Sequence, residues 1–259
     1  MYKDISKVLN IACIKAGQKI LKYYSNNIDF KIKADGSPLT KADSEANKII
    51  SSELTSFFPN IKIISEEGNH KNCFCKYFLV DPLDGTKEFL NKNGQFTVNI
   101  ALIENKKPIL GSIFQPTKNI LYWNDGSYSY SSSGEIKKRI RVTKPANKQL
   151  IFEISRSHMD RDTESFLNFY QPSKINRSGS SIKICNLSNG KAHIYPRFSK
   201  TSIWDIAAGH AILRNAGGEI FNLDGSILMY DNDRIEIDSF IAYINKKLPN
   251  HIIQNAKRV

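Results

Sequence analysis

The segment Val80-Asp81-Pro82-Leu83-Asp84-Gly85-Thr86 constrains the chain more than any other. An apolar strand, Tyr77 to Val80, ends on an acid, Pro82 forces a turn, and a second acid follows three positions after the first. A tight turn of this kind lets both carboxylates face one pocket. Gly85 opens a backbone conformation closed to other residues. A helix starting at Gly85 or Thr86 would offer its free N–H groups to an anion. Acids for a hard cation beside amides for a phosphate suit metal-assisted phosphoryl hydrolysis. An ordinary β-turn with Asp in its usual place gives the same text, so the segment alone leaves both readings open.

Three further acids bear on the choice. Ser65-Glu66-Glu67-Gly68 follows the apolar stretch ending at Ile64, which puts Glu66 at the C-terminal end of a second strand. Asp43 and Asp205 fall in the first turns of expected helices. Thr40-x-x-Asp43 and Ser202-x-x-Asp205 both match the capping box. Capping is worth about 0.5–2 kcal/mol and by itself accounts for either acid.

The rest of the chain alternates between two periodicities. Residues 5–24 and 41–58 carry apolar side chains at three- and four-residue spacing and predict helices, the second with Thr40 as N-cap. A polar loop is expected around Asp35-Gly-Ser-Pro38. Short strands are expected at 62–64, 77–80, 96–103, 108–114 and 120–123, then a hairpin or loop over 126–135 and strand character again within 136–155. Helices follow at 160–170 and 180–188, a strand at 192–195, a strong helix at 202–215 stopped by Gly217-Gly218, and a strand at 219–221. The tail after Asp231 carries no recognisable signature. This pattern predicts a layered α/β (α+β) molecule in two intimately packed halves, 1–145 and 146–259.

Composition excludes several classes. The 259 residues hold no apolar run near the ~18 that a membrane helix needs, and no signal-peptide pattern, so a cytoplasmic protein is expected. Cys13, Cys73, Cys75 and Cys185 include one Cys-x-Cys with no second pair, and read as reduced thiols rather than a zinc site. The formal charge of +12 attracts polyanions, but the lysines are scattered and no nucleic-acid-binding motif accompanies them. Specific nucleic-acid binding is therefore not expected. No Gly-x-x-x-x-Gly-Lys-Ser/Thr loop is present, and no protein nucleophile is evident.

Taken together, Ser65-Glu66-Glu67, Asp81-Pro-Leu-Asp84-Gly-Thr86 and Trp204-Asp-Ile-Ala-Ala-Gly209 resemble the inositol monophosphatase superfamily of magnesium-dependent, lithium-sensitive phosphatases. The match in order and spacing runs over nearly the whole chain. Asp81-Pro-Leu-Asp-Gly-Thr-Lys-Glu-Phe89, Phe96 to Leu102, Ser155-Arg-Ser-His158, Ser180-Ser-Ile-Lys183 and Tyr195-Pro-Arg-Phe198 are similar to its CysQ-type 3′(2′),5′-bisphosphate nucleotidase branch. Lys87-Glu88 distinguishes that branch from the inositol phosphatases. Gly36 departs from a common Asn, and Gln95 from a common acid.

The resemblance implies a layered αβαβα sugar-phosphatase fold. It implies that Glu66, Asp81, Asp84, Asp205 and the Leu83 carbonyl hold two or three Mg²⁺. Asp43 and Thr86 would orient or deprotonate the attacking water, and the Gly85 and Thr86 amides would hold the phosphate. His158, Ser180, Lys183 and Arg197 would line the nucleotide side. The implied reaction removes the 3′-phosphate of adenosine 3′,5′-bisphosphate in sulfur metabolism, with 3′-phosphoadenylyl sulfate as a further candidate substrate. An inositol monophosphatase or broad sugar phosphatase is the alternative. A monomer and a homodimer are both compatible, as is peripheral attachment to the inner membrane.

Overall fold

Two long amphipathic helices open the fold, α1 (Tyr2–Tyr24) and α2 (Lys41–Phe57), with the short strands β1 (Phe30–Ile32) and β2 (Pro38–Thr40) between them. The computed structural model describes residues 1–25, 30–32, 38–68, 74–146, 149–157, 159–231 and 234–259, and of 30–32 and 38 the backbone alone. The loop expected around Asp35 lies largely outside the described residues.

Seven strands then build one sheet in chain order: β3 (Lys62–Ser65), β4 (Lys76–Asp84), β5 (Thr97–Glu104), β6 (Lys107–Gln115), β7 (Ile120–Asn124), β8 (Ser129–Ser133) and β9 (Ile136–Ile140). Among the described residues of this sheet only β3 and β4 run parallel, and α3 (Thr86–Leu90) falls between β4 and β5 in the chain. Of the hairpin or loop expected over 126–135, the structure forms the hairpin: β8 pairs antiparallel with β7 on one side and β9 on the other along Ser129–Ser133.

The second sheet has the order β11-β10-β12-β16-β14, from β10 (Ile151–Ser155), β11 (Lys174–Ser178), β12 (Ile194–Arg197), β14 (Glu219–Phe221) and β16 (Phe240–Tyr243). A separate pair joins β13 (Thr201–Ser202) to β15 (Glu236–Ile237). The helices of this half are α4 (Arg161–Asn168), α5 (Ile182–Ser188), α6 (Ile203–Ala216) and α7 (Asn250–Ala256).

Three apolar clusters stack these elements into five layers. Leu9, Ala16, Ala46 and Ile50 of α1 and α2 bury against Phe78, Val80, Ile100 and Leu102 on one face of the seven-stranded sheet. Its other face, with Leu79, Ala101 and Ile113, meets α5 and α6, whose far side meets Tyr195, Ile220 and Ala242 of the second sheet. Phe152, Ile154 and Ile241, on the outer face of that sheet, bury against Phe166 of α4 and Ile252 of α7. The order is αβαβα, as the resemblance implied. Helix α6 is the shared central layer, apolar nearly all round, which is the pattern of a helix buried between two sheets. It approaches the first sheet so closely that a Cβ on Gly111 would lie 2.1 Å from the Ala208 carbonyl oxygen. No described helix is long and apolar enough to cross a membrane.

Candidate active site

The turn expected at Pro82 is instead a bulge inside a continuous strand. β4 runs on to Asp84, and its pairing shifts from Asp81 opposite Asn99 to Asp84 opposite Thr97. One extra residue lies on the β4 side, and a proline, which cannot donate to a ladder, is tolerated there. The bulge re-aims the strand end. Asp81, Asp84 and Asp205, from the first turn of α6, offer carboxylate oxygens that all lie within 4.8 Å of one another. Asp81 is buried, while Asp84 and Asp205 open in part onto a cavity of about 480 Å³ that Glu66, Leu83, Gly85 and Thr86 also line.

Each acid is clamped by donors from its own surroundings. On Asp84, Oδ2 accepts from the Asn99 amide (3.0 Å), the Ser180 hydroxyl (2.8 Å) and the Ser181 N–H (2.7 Å). On Asp205, Oδ2 accepts from the Thr201 hydroxyl (2.7 Å) and the Ser202 N–H (3.3 Å). Asp81 Oδ1 accepts from Leu83 N–H at 3.0 Å. For Asp84 and Asp205 these bonds all fall on one oxygen, so the carboxylate is oriented while the other oxygen stays available to a ligand.

Such a cluster costs free energy in the absence of a cation. Two like charges 4 Å apart repel by about 1 kcal/mol in water and about 4 kcal/mol at an effective dielectric of 20. Burial first, then Glu66, Asp84 and Asp205, pushes the Asp81 carboxyl well above the usual carboxylate range. Burial and then Asp205 lift Asp84 to about 6, against relief from Lys183, Ser180 and Asn99. Burial also raises Asp205, with Glu66 adding to it and Thr201 and Arg197 opposing it.

Asp43 lies in the first turn of α2, buried, and completes the expected capping box. Its Oδ2 accepts from the Thr40 N–H (2.8 Å) and the Thr40 hydroxyl, while Thr40 Oγ1 accepts from Ala42 N–H at 3.1 Å. The Thr86 hydroxyl lies 3.4 Å from Asp43 Oδ1 and 3.2 Å from the Leu83 carbonyl oxygen. Gly85 caps α3 with φ 89°, a left-handed conformation that favours glycine. The first backbone bond of α3 runs from Phe89 N–H to the Gly85 carbonyl (2.9 Å), so the amides of 86–88 are left without partners inside the helix.

Ser180, Lys183 and Arg197 line the same cavity, whereas His158 lies outside the described residues. Lys183 is buried: its Nζ donates to the Ser180 carbonyl (2.6 Å) and sits 5.3 Å from the centre of the Tyr195 ring. Arg197 donates to the carbonyls of Ser199 (3.2 Å) and Lys200 (2.9 Å), which ties part of its guanidinium to its own loop.

Sequence reasoning missed the clamps on Asp84. Asn99 and Ser181 belong to motifs already noted, yet nothing in their spacing shows that they converge on one carboxylate. The backbone of Ser180 has φ 54°, a left-handed conformation uncommon outside glycine, and this aims its hydroxyl and the next N–H at Asp84. Trp204, His193 and His210 are buried. His210 is held between Tyr230 and Glu219, away from this cavity.

The family model for the inositol monophosphatase family matches residues 1–258. The 3′(2′),5′-bisphosphate nucleotidase CysQ of Buchnera aphidicola subsp. Acyrthosiphon pisum is 42% identical over 94% of this chain and 91% of its own length. The CysQ of Escherichia coli (strain K12) is 39% identical over 83% of this chain and 89% of its own. Among solved structures, CysQ from Bacteroides thetaiotaomicron superposes with a TM-score of 0.81 at 35% identity, covering 95% of this chain and 98% of that one. The extragenic suppressor protein SuhB from Bartonella henselae gives 0.82 at 25% identity, covering 98% and 99%. The matched sequence, the five layers and the carboxylate cluster at the bulge agree, and the chain belongs to the inositol monophosphatase family.

Proposed function

We propose that this chain is a cytoplasmic, Mg²⁺-dependent 3′(2′),5′-bisphosphate nucleotidase that converts adenosine 3′,5′-bisphosphate to AMP and phosphate. The observation that carries the chemistry is the convergence of Asp81, Asp84 and Asp205 in one cavity whose wall also holds Lys183 and Arg197. The similarity to CysQ proteins over most of both chains supports the substrate.

The donor set fits the metal. It is all oxygen, it carries several negative charges, and its buried acids hold their protons abnormally tightly when no cation lies between them. Glu66, Asp81, Asp84, Asp205 and the Leu83 carbonyl are the residues that would hold two or three Mg²⁺. Bound there, Mg²⁺ supplies Lewis acidity and positive charge for an in-line displacement at phosphorus.

The remaining work falls to the chain. The Gly85 and Thr86 amides hold oxygens of the scissile phosphate. The Thr86 hydroxyl orients the attacking water, and its contact with Asp43 Oδ1 gives the water's proton a path to a carboxylate. Asp43 keeps that orientation because Thr40 grips its other oxygen. Lys183 and Arg197 meet the second phosphate of the nucleotide through charge-assisted bonds.

The test is a steady-state comparison of adenosine 3′,5′-bisphosphate with inositol 1-phosphate, each with and without Mg²⁺. A preference for the bisphosphate in kcat/KM supports the nucleotidase. A preference for inositol 1-phosphate would return the chain to the sugar phosphatases with the metal site intact.

A further inference from the structure

The mechanism above leaves two carboxylates of the active-site cavity without a task, Glu236, which pairs with Lys200 at 3.3 Å, and Glu88. Glu88 is only 6% exposed, yet it lines that cavity. Its Oε1 accepts a hydrogen bond from the Ser157 hydroxyl at 2.5 Å. Among the described residues it makes no ion pair. It lies outside the cluster formed by Asp81, Asp84 and Asp205. A carboxylate placed by chance in a cavity that takes dianionic phosphates would only repel them.

The position of its second oxygen gives it a use. A Cβ built on Gly85 would lie 3.3 Å from Glu88 Oε2 and 3.3 Å from Ser180 Cβ. Glu88 Oε2 therefore flanks the glycine whose amide faces the scissile phosphate, on the side of the Ser180 clamp. Gly179 closes the same corner: a Cβ there would lie 2.8 Å from Glu88 Cγ, so the acid is packed in place rather than swinging freely. An acceptor fixed beside the phosphate seat meets whatever substrate group is adjacent to the phosphoester. In a nucleoside 3′-phosphate that group is the 2′-hydroxyl, and in a 2′-phosphate it is the 3′-hydroxyl. Either is a donor that a carboxylate can accept.

We propose that Glu88 is a specificity-determining residue whose Oε2 accepts a hydrogen bond from the ribose hydroxyl vicinal to the scissile phosphate, so that the enzyme selects ribonucleotide over 2′-deoxyribonucleotide bisphosphates. This rests on the nucleotidase reading. A site built to bond a hydroxyl rejects an analogue that lacks it, because the buried acceptor is left unpaired. Lys87, the other half of the Lys-Glu pair, is exposed at the cavity edge and is not needed for this selection.

The experiment measures kcat/KM for adenosine 3′,5′-bisphosphate and for 2′-deoxyadenosine 3′,5′-bisphosphate in wild type, Glu88→Ala and Ser157→Ala. Wild type should favour the ribonucleotide by roughly ten- to hundredfold. In Glu88→Ala the ratio should fall to within about twofold of unity, through loss on the ribonucleotide and not on the deoxy compound. Ser157→Ala removes the donor to Oε1 but keeps the acid, and should retain the wild-type ratio. A Glu88→Ala enzyme that loses activity equally on both substrates has lost structure, and that result overturns the proposal. A wild-type ratio near one overturns it too. If wild type hydrolyses neither nucleotide but does hydrolyse inositol 1-phosphate, the nucleotidase reading itself has failed.

Discussion

At the scale of single residues, the acids of this site are placed against their own electrostatic preference. Asp84 shows the trade most clearly. Burial and Asp205 raise it from an ordinary 3.8 to about 6. A carboxyl whose folded pKa lies above its unfolded value stabilises the fold below about pH 4, and that contribution is lost as pH rises through 6. Above pH 6 the metal-free protein carries the cost of the buried charge. Mg²⁺ offsets that cost, and below pH 6 it competes with protons for the same oxygens. The rise in Tm on adding Mg²⁺ should therefore be small at pH 5 and grow towards pH 8. A Mg²⁺-dependent shift that is flat across this range would contradict the assignment of these acids to a cation. Asp84→Asn should lower kcat on the order of a hundredfold or more. The same variant should raise the Tm of the metal-free protein, because it removes one charge from the cluster while Asn99, Ser180 and Ser181 still surround the side chain. Near-normal turnover at saturating substrate would remove Asp84 from the metal site.

At the scale of elements, both capping boxes form, and each leaves its acid placed for the second role proposed for it. In α2 the Thr40 hydroxyl and N–H grip Asp43 Oδ2, and the same geometry presents Oδ1 to Thr86. In α6, Ser202 and Thr201 do the same for Asp205. On the proposed roles, stability and catalysis are coupled at a helix start. Thr40→Val should cost about 0.5–2 kcal/mol in a denaturant melt, and kcat should fall with it. Thr40→Ser should restore both. Full kcat in a destabilised Thr40→Val enzyme would show that the orientation of Asp43 does not matter.

Long, strongly periodic elements such as α1, α2, α6 and β3 to β7 were legible in the sequence, because apolar side chains repeat at the period of each. Lys174–Ser178, with mostly exposed residues, and the short strands after Asp231 were not, since their place comes from pairing with distant strands rather than from a pattern of their own. The bulge in β4 reads as a turn for a related reason: Pro82 marks a break in pairing, and only the partner strand decides whether the chain turns or continues. The acids that converge, Asp81, Asp84 and Asp205, were legible as parts of motifs, but the clamps from Asn99 and Ser181 needed the fold to bring them to Asp84.

At the scale of the whole molecule, α6 links the two sheets and carries Asp205 to acids that β4 supplies. Its seat on the first sheet depends on Gly111, where a Cβ would meet the Ala208 backbone at 2.1 Å. Backbone cannot rotate away as a side chain can, so Gly111→Ala must shift α6 or the strand beneath it. It should destabilise the protein by at least about 1–3 kcal/mol and weaken Mg²⁺ binding in calorimetry, although Gly111 lines no part of the site. Unchanged Mg²⁺ affinity would show that the position of α6 does not set the geometry of the carboxylates. The central claim joins this architecture to one reaction, a metal-dependent loss of the 3′-phosphate, and ³¹P NMR of adenosine 3′,5′-bisphosphate turning over with the protein and Mg²⁺ reads it most directly. The account predicts that the 3′-phosphate signal converts to inorganic phosphate while the 5′-phosphate signal remains as AMP, and that excess EDTA stops the conversion. Conversion that continues in excess EDTA, or release of the 5′-phosphate first, would contradict it.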